Sequence, residues 1–181
     1  QETAREDFDV VGNVFIQPNV NCTCARIGGD RTETYSHGRY RFVNNTFVLK
    51  NRVSIIRADF DASVNSLEFY NNVVYNTFIG ANYTIVLSSA TGAFDNYPAA
   101  RPIAGSNNWI ISTGLYALSV PTEFTGTILG TSPGFTDVVT NQFQPVVGSA
   151  LINAGTASAP ATIATNPFGN GLYPPAYNPP L

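Results

Sequence analysis

Residues 40–61 read YRFVNNTFVLKNRVSIIRADFD. Tyr40 and Phe42 flank the polar Arg41, and Phe47 stands two places past Asn45. Alternation of that kind is a strand with one apolar face, because successive side chains point to opposite sides. The Asn pair interrupts it, so the stretch reads as a strand, a corner and a second strand.

The same pattern recurs in FDVVGNVFI, LEFYNNVVY and IAGSNNWII, which align Asn13, Asn45, Asn72 and Asn108 at spacings of 32, 27 and 36 residues. Five places before the Asn stand Phe8, Tyr40, Leu67 and Ile103; three before, Val10, Phe42, Phe69 and Gly105; two after, Phe15, Phe47, Val74 and Ile110. Asp9, Arg41 and Glu68, four before it, have the opposite parity. A second family, CTCARIG, VSIIRAD and YTIVLSS, aligns Cys22, Val53 and Tyr83, and then Cys24, Ile55 and Ile85. No capped amphipathic run of helical period interrupts these strands, apart from a short turn signal near QETARED.

A loose repeat of short strands, each unable to bury its apolar face alone, predicts an all-β chain: a right-handed parallel β-helix (solenoid) of about five coils with a Pro-rich C-terminal tail. A β-sandwich explains the alternation but not an Asn at one place in each unit. Residues 1–156 are expected to form the solenoid, and residues 157–181, which hold Pro160, Pro167, Pro174, Pro175, Pro179 and Pro180, a cap, strap or linker. Stacked at about 4.8 Å per coil, Asn13, Asn45, Asn72 and Asn108 become a structural ladder, each carboxamide donating to one neighbour and accepting from another. Asp9, Arg41 and Glu68 are expected as an exposed row of alternating charge, worth about 0.2–1 kcal/mol per pair.

Composition narrows the function classes. Only 12% of the 181 residues are charged and the formal charge is −3, so the chain lacks the basic footprint of a nucleic-acid partner. No apolar run approaches the length of a membrane span. Cys22 and Cys24 lie two apart; on a strand their Cα atoms sit about 6.5 Å apart, at the upper limit for a disulfide, and two buried thiols are expected. With His37 the sole histidine, no metal site is expected. The Asn-x-Thr sequons at Asn21, Asn44 and Asn82 are what chance supplies in an Asn-rich chain.

The NNTF and NNVV corners resemble the Asn-rich repeats of secreted right-handed parallel β-helix proteins of the pectate-lyase-like superfamily. SPGFTDVVTNQFQPVVGSALINAGT, residues 132–156, resembles the closing segment that precedes a choice-of-anchor Q ending, with Ser132-Pro133-Gly134-Phe135 and Ser149-Ala150-Leu151-Ile152-Asn153-Ala154-Gly155 in place of its two blocks. The final acidic motif of that ending is missing, and the chain is expected to be a mature product or a piece of a longer one. The resemblance implies a secreted or cell-surface protein.

Two functions follow as expectations. One is an extracellular structural or adhesive module that binds a polysaccharide, another surface protein or its own subunits, without a cofactor. Uncovered strand edges at the ends of a solenoid invite stacking, and Tyr70, Tyr75 and Trp109 are the rings proposed to bind carbohydrate. The alternative is a polysaccharide lyase or hydrolase, or a fragment of one, acting on an acidic polysaccharide. Lyases of this superfamily abstract a proton with Lys or Arg while a cation such as Ca²⁺ neutralises the uronate. Its candidates are Arg26 and Arg57, one coil apart, with Asp59, Asp61 and His37. The residues alone leave open whether the chain is an enzyme.

Overall fold

The computed structural model describes residues 8–17, 24–27, 38–49, 55–58, 64–77, 83–84, 86–88, 103–112 and 118–157. Cys22, His37, Asp59, Asp61, the sequons at Asn21 and Asn82, and residues 158–181 of the Pro-rich tail lie outside these. Among the described residues all regular secondary structure is β, and no helix is long and apolar enough to cross a membrane.

Two five-stranded sheets dominate. The first runs β1 (Phe8–Val11), β4 (Gly38–Val43), β7 (Val64–Tyr70), β11 (Ile103–Ser106) and β14 (Phe124–Thr125). The second, in the same order of repeats, runs β2 (Val14–Gln17), β5 (Thr46–Leu49), β8 (Val73–Asn76), β12 (Trp109–Ile111) and β15 (Ile128–Gly130). A third sheet joins β3 (Ala25–Ile27), β6 (Ile56–Ala58) and β10 (Val86–Ser88), and β9 (Tyr83–Thr84) pairs with β13 (Leu118–Ser119). Every pairing in these sheets is parallel. The exception among the described residues is a terminal antiparallel pair, β16 (Phe135–Asp137) with β17 (Gln142–Pro145).

The register is the one that aligning the Asn residues produces. Phe8 pairs with Tyr40 and Tyr40 with Leu67 in the first sheet; Phe15 pairs with Phe47 and Phe47 with Val74 in the second. Between the two sheets the chain turns at Gly12, Asn44, Asn71, Asn107 and Gly126, whose φ angles are 71°, 55°, 55°, 54° and 57°. This left-handed conformation ends a strand within one residue. Gly enters it without a Cβ penalty, and Asn tolerates it better than other side chains. The first residue of each pair thus makes the bend, and the second, Asn13, Asn45, Asn72 or Asn108, turns inward.

The fifth repeat, Phe124–Gly130, has no Asn to mark it in the sequence. Its corner is Gly126-Thr127, and Ile128 N–H donates to the Asn108 carbonyl as Trp109 N–H does to Asn72 and Val73 N–H to Asn45. Thr127 takes the place of the Asn.

Inside, aromatic rings stack along the repeats: Phe15 on Phe47 with centroids 4.9 Å apart, Phe47 on Phe69 at 5.4 Å, and Phe69 on Phe124 at 5.8 Å. The last distance is short for residues two strands apart, which β-sheet spacing places about 9.6 Å from one another. Gly105 accounts for it. A Cβ there would sit 2.5 Å from the Phe124 ring and 2.7 Å from the Phe69 carbonyl. A repeat without a side chain at this place lets the rings above and below meet across it.

Candidate functional site

The polar groups of the stack sit in three places, beginning with the corner. Asn13 donates to Asn45 Oδ1 from its backbone N–H at 2.9 Å and from Nδ2 at 3.3 Å. Asn45 does the same to Asn72 Oδ1, at 3.0 Å from each donor, and Asn72 to Asn108 Oδ1, at 2.9 and 3.1 Å. The second Nδ2 proton goes back to the repeat before: Asn45 to the Val10 carbonyl, Asn72 to Phe42 and Asn108 to Phe69, at 2.9, 2.9 and 2.8 Å. Asn45, Asn72 and Asn108 are buried, and a buried amide is tolerated only when its donors and acceptors are matched. Bonds that use both Nδ2 protons and Oδ1 leave little chemistry for a substrate.

The second place is the opposite face of the first sheet. Asp9, Arg41 and Glu68 stand in register, as their parity requires. The expectation of an exposed row holds at Asp9 and is corrected at the other two: Arg41 is 3% exposed and Glu68 fully buried. Parity fixes the face a residue takes and says nothing of what lies over that face. Once the face is covered, each charge needs partners. Arg41 grips Asp9 with Nε, 3.0 Å from Oδ1, and with Nη2 on Oδ2. Glu68 accepts from Ser66 Oγ at 2.8 Å and from the Tyr70 hydroxyl at 3.1 Å. Burial, then the charge of Glu68 and the hydrogen bond to it, hold the Tyr70 hydroxyl far above its ordinary range, so it stays protonated as a donor.

The third is a clasp built by the segment after β15. Residues 132–135 and 149–155 of the closing segment meet: Ser149 Oγ donates to the Pro133 carbonyl at 2.6 Å and accepts from Leu151 N–H at 3.1 Å. Gly134, at φ 69°, leaves room for Ser149, whose Cβ would lie 3.0 Å from a Cβ at 134. Phe135 packs edge-on against Tyr75 on the second sheet. The chain then crosses the corner. Asn107 Nδ2 donates to the Ala154 carbonyl at 3.1 Å, and Asn71 makes a two-way pair with Thr156, giving Nδ2 to its carbonyl and accepting its N–H, both at 2.8 Å. Besides bending the chain, the first Asn of a pair thus uses its side chain as a peptide group would, binding a strap that runs from the fourth repeat toward the third. The doublet was the signal, since a ladder alone needs one Asn.

The residues singled out from the sequence fare differently. Arg26 and Arg57 are direct partners on the parallel pair β3–β6. His37, Asp59 and Asp61 lie outside the described residues. Tyr70 and Trp109 are on the outward parity, yet both are buried, Tyr70 over Glu68 and Trp109 against Gly130; neither holds an open ring face for a sugar. Tyr75 is half-buried beside Phe135. Cys24 is a free thiol, pushed up to about 11 by burial and so a poor nucleophile at neutral pH. Asp137 is held below the usual carboxylate range by the Thr140 hydroxyl and the Val139 N–H in the turn of the hairpin.

Comparison with known proteins yields no match: no family model, no curated protein and no solved structure is significantly similar to this chain.

Proposed function

We propose that this chain is a right-handed parallel β-helix, akin to the secreted pectate-lyase-like proteins, that serves as an extracellular structural or adhesive module. One observation carries the reading. The polar side chains at the repeat positions are bonded within the stack: Asn45 and Asn72 to neighbouring strands through the amide ladder, Arg41 to Asp9 on the adjacent strand, and Glu68 to Ser66 and Tyr70 of its own strand. An enzyme leaves its reacting groups open to substrate, whereas these side chains are taken up by the stack. With Tyr70 and Trp109 buried, assembly through strand edges is favoured over sugar stacking on those rings.

A second reading, a lyase or hydrolase on an acidic polysaccharide, draws on the side-by-side placement of Arg26 and Arg57. Arg at two paired backbone positions is a residue type that suits a uronate carboxylate. Assay of the purified chain on polyuronates and neutral glycans, with and without Ca²⁺, separates the two. The module reading predicts no turnover. Turnover that Arg57→Ala abolishes would replace it with the lyase.

A further inference from the structure

The two ends of the stack are complementary, and their hydrogen-bonding rule says what fits between them. At the three junctions between Asn repeats four bonds recur, and at the fourth, where Thr127 replaces the Asn, the two backbone ones remain. The corner residue donates its N–H to the carbonyl two places before the Asn of the next repeat: Gly12 to Val43, Asn44 to Tyr70, Asn71 to Ser106 and Asn107, at the Thr127 repeat, to Thr125, at 3.0 to 3.1 Å. The Asn donates its N–H to the next Oδ1. The residue after the next Asn donates back to the first Asn carbonyl, as Thr46 does to Asn13. The Nδ2 of that next Asn donates to the carbonyl three places before the first Asn.

Among the described residues, the first repeat has one side of this pattern unfilled. Among the described residues no bond reaches Asn13 Oδ1, and its Nδ2 folds back on the carbonyl of its own Val11 at 3.1 Å. Around it Phe8, Val14 and Ile16 are exposed, Phe8 by 56% and Val14 by 51%. The fifth repeat carries the counterpart. It has the same Gly corner as the first, and Leu129 is 58% exposed.

We propose that the first repeat of one molecule docks on the fifth repeat of a second copy, continuing both parallel sheets head to tail; this rests on the module reading. The internal rule then specifies the junction. Gly126 N–H donates to Val11 O, Thr127 N–H to Asn13 Oδ1, Val14 N–H to Thr127 O, and Asn13 Nδ2 leaves Val11 for Phe124 O. Leu129 covers Phe15 in the column that Phe15 and Phe47 begin. Such an interface is heterologous, so it generates a linear series rather than a closed dimer. Glu123 comes to stand in the row of Asp9, and this repulsion means that added salt tightens the association.

Sedimentation velocity over a concentration series tests it with two variants that each spoil one end. Val14→Pro removes the N–H that faces away from the stack, a change that edge strands tolerate; Leu129→Lys puts a charge in the apolar column. The wild type is expected to grow from monomer through dimer to longer species as concentration rises. Each variant alone is expected to associate at least about tenfold more weakly. Mixed, they still share one intact pair of ends and should form a dimer that grows no further. A wild type that stays monomeric, a Val14→Pro protein that assembles like wild type, or a mixture that forms no dimer would each overturn the proposal. A monomer without turnover on glycans removes the stacking and leaves the module standing, whereas turnover removes the module reading itself.

Discussion

Asn44 and Asn45 are neighbours of one residue type with opposite employment, and so are Asn71 and Asn72. The second of each pair is buried and bonded to the repeats on either side; the first bends the backbone at φ 55° and is half-buried. Asn71 there holds Thr156, as Asn107 holds Ala154. Backbone conformation sets the difference. The inner row joins repeat to repeat and belongs to the stability of the whole stack. In the outer row Asn71 and Asn107 join the stack to its clasp, which is expected to open as a local unit.

Removing one inner Asn should break that equivalence most severely. Asn72→Leu deletes the acceptor of two Asn45 donors and the donor to Phe42 and Asn108, all buried. A loss of about 3–5 kcal/mol is expected, read as a fall in the denaturant midpoint. Asn71→Gly attacks the outer row while keeping the left-handed bend. The pair with Thr156 is lost, amide protection at residues 154–157 falls, and global stability changes by no more than about 1 kcal/mol. Equal effects of the two substitutions would erase the distinction.

The smallest effect concerns the clasp's own hairpin. The folded pKa of Asp137 is depressed, so its stabilising contribution is present above the unfolded carboxylate value, about 3.9, and is lost as pH falls through the lower folded value. Amide exchange at Val139 and Thr140 should quicken in that acid window, and Asp137→Asn should flatten the dependence. The protection of the inner Asn amides should not follow it.

The all-β class and the parallel, stacked strands are legible in the sequence because in-register stacking demands the same residue at the same place. Asn13, Asn45, Asn72 and Asn108 satisfy that demand. The fifth repeat escaped because Thr127 replaces Asn and follows Asn108 by only 19 residues. The burial of Arg41 and Glu68 escaped because alternation assigns a face without showing its cover. The strap escaped because Ala154 and Thr156 engage through backbone groups, which leave no side-chain signature. Arg26 and Arg57 were aligned from the pattern of the third strand, and their strands pair in that register.

The inner ladder ties repeat to repeat, and backbone amide exchange at Asn45 and Asn72 tests this most directly. Each N–H is bonded to a side-chain oxygen of the next repeat, at 3.0 and 2.9 Å, and to no strand carbonyl. If the repeats stack in this register, both amides exchange only with global unfolding, as slowly as the central strands β5 and β8. Exchange at the rate of an open turn, with β5 and β8 still protected, would contradict it.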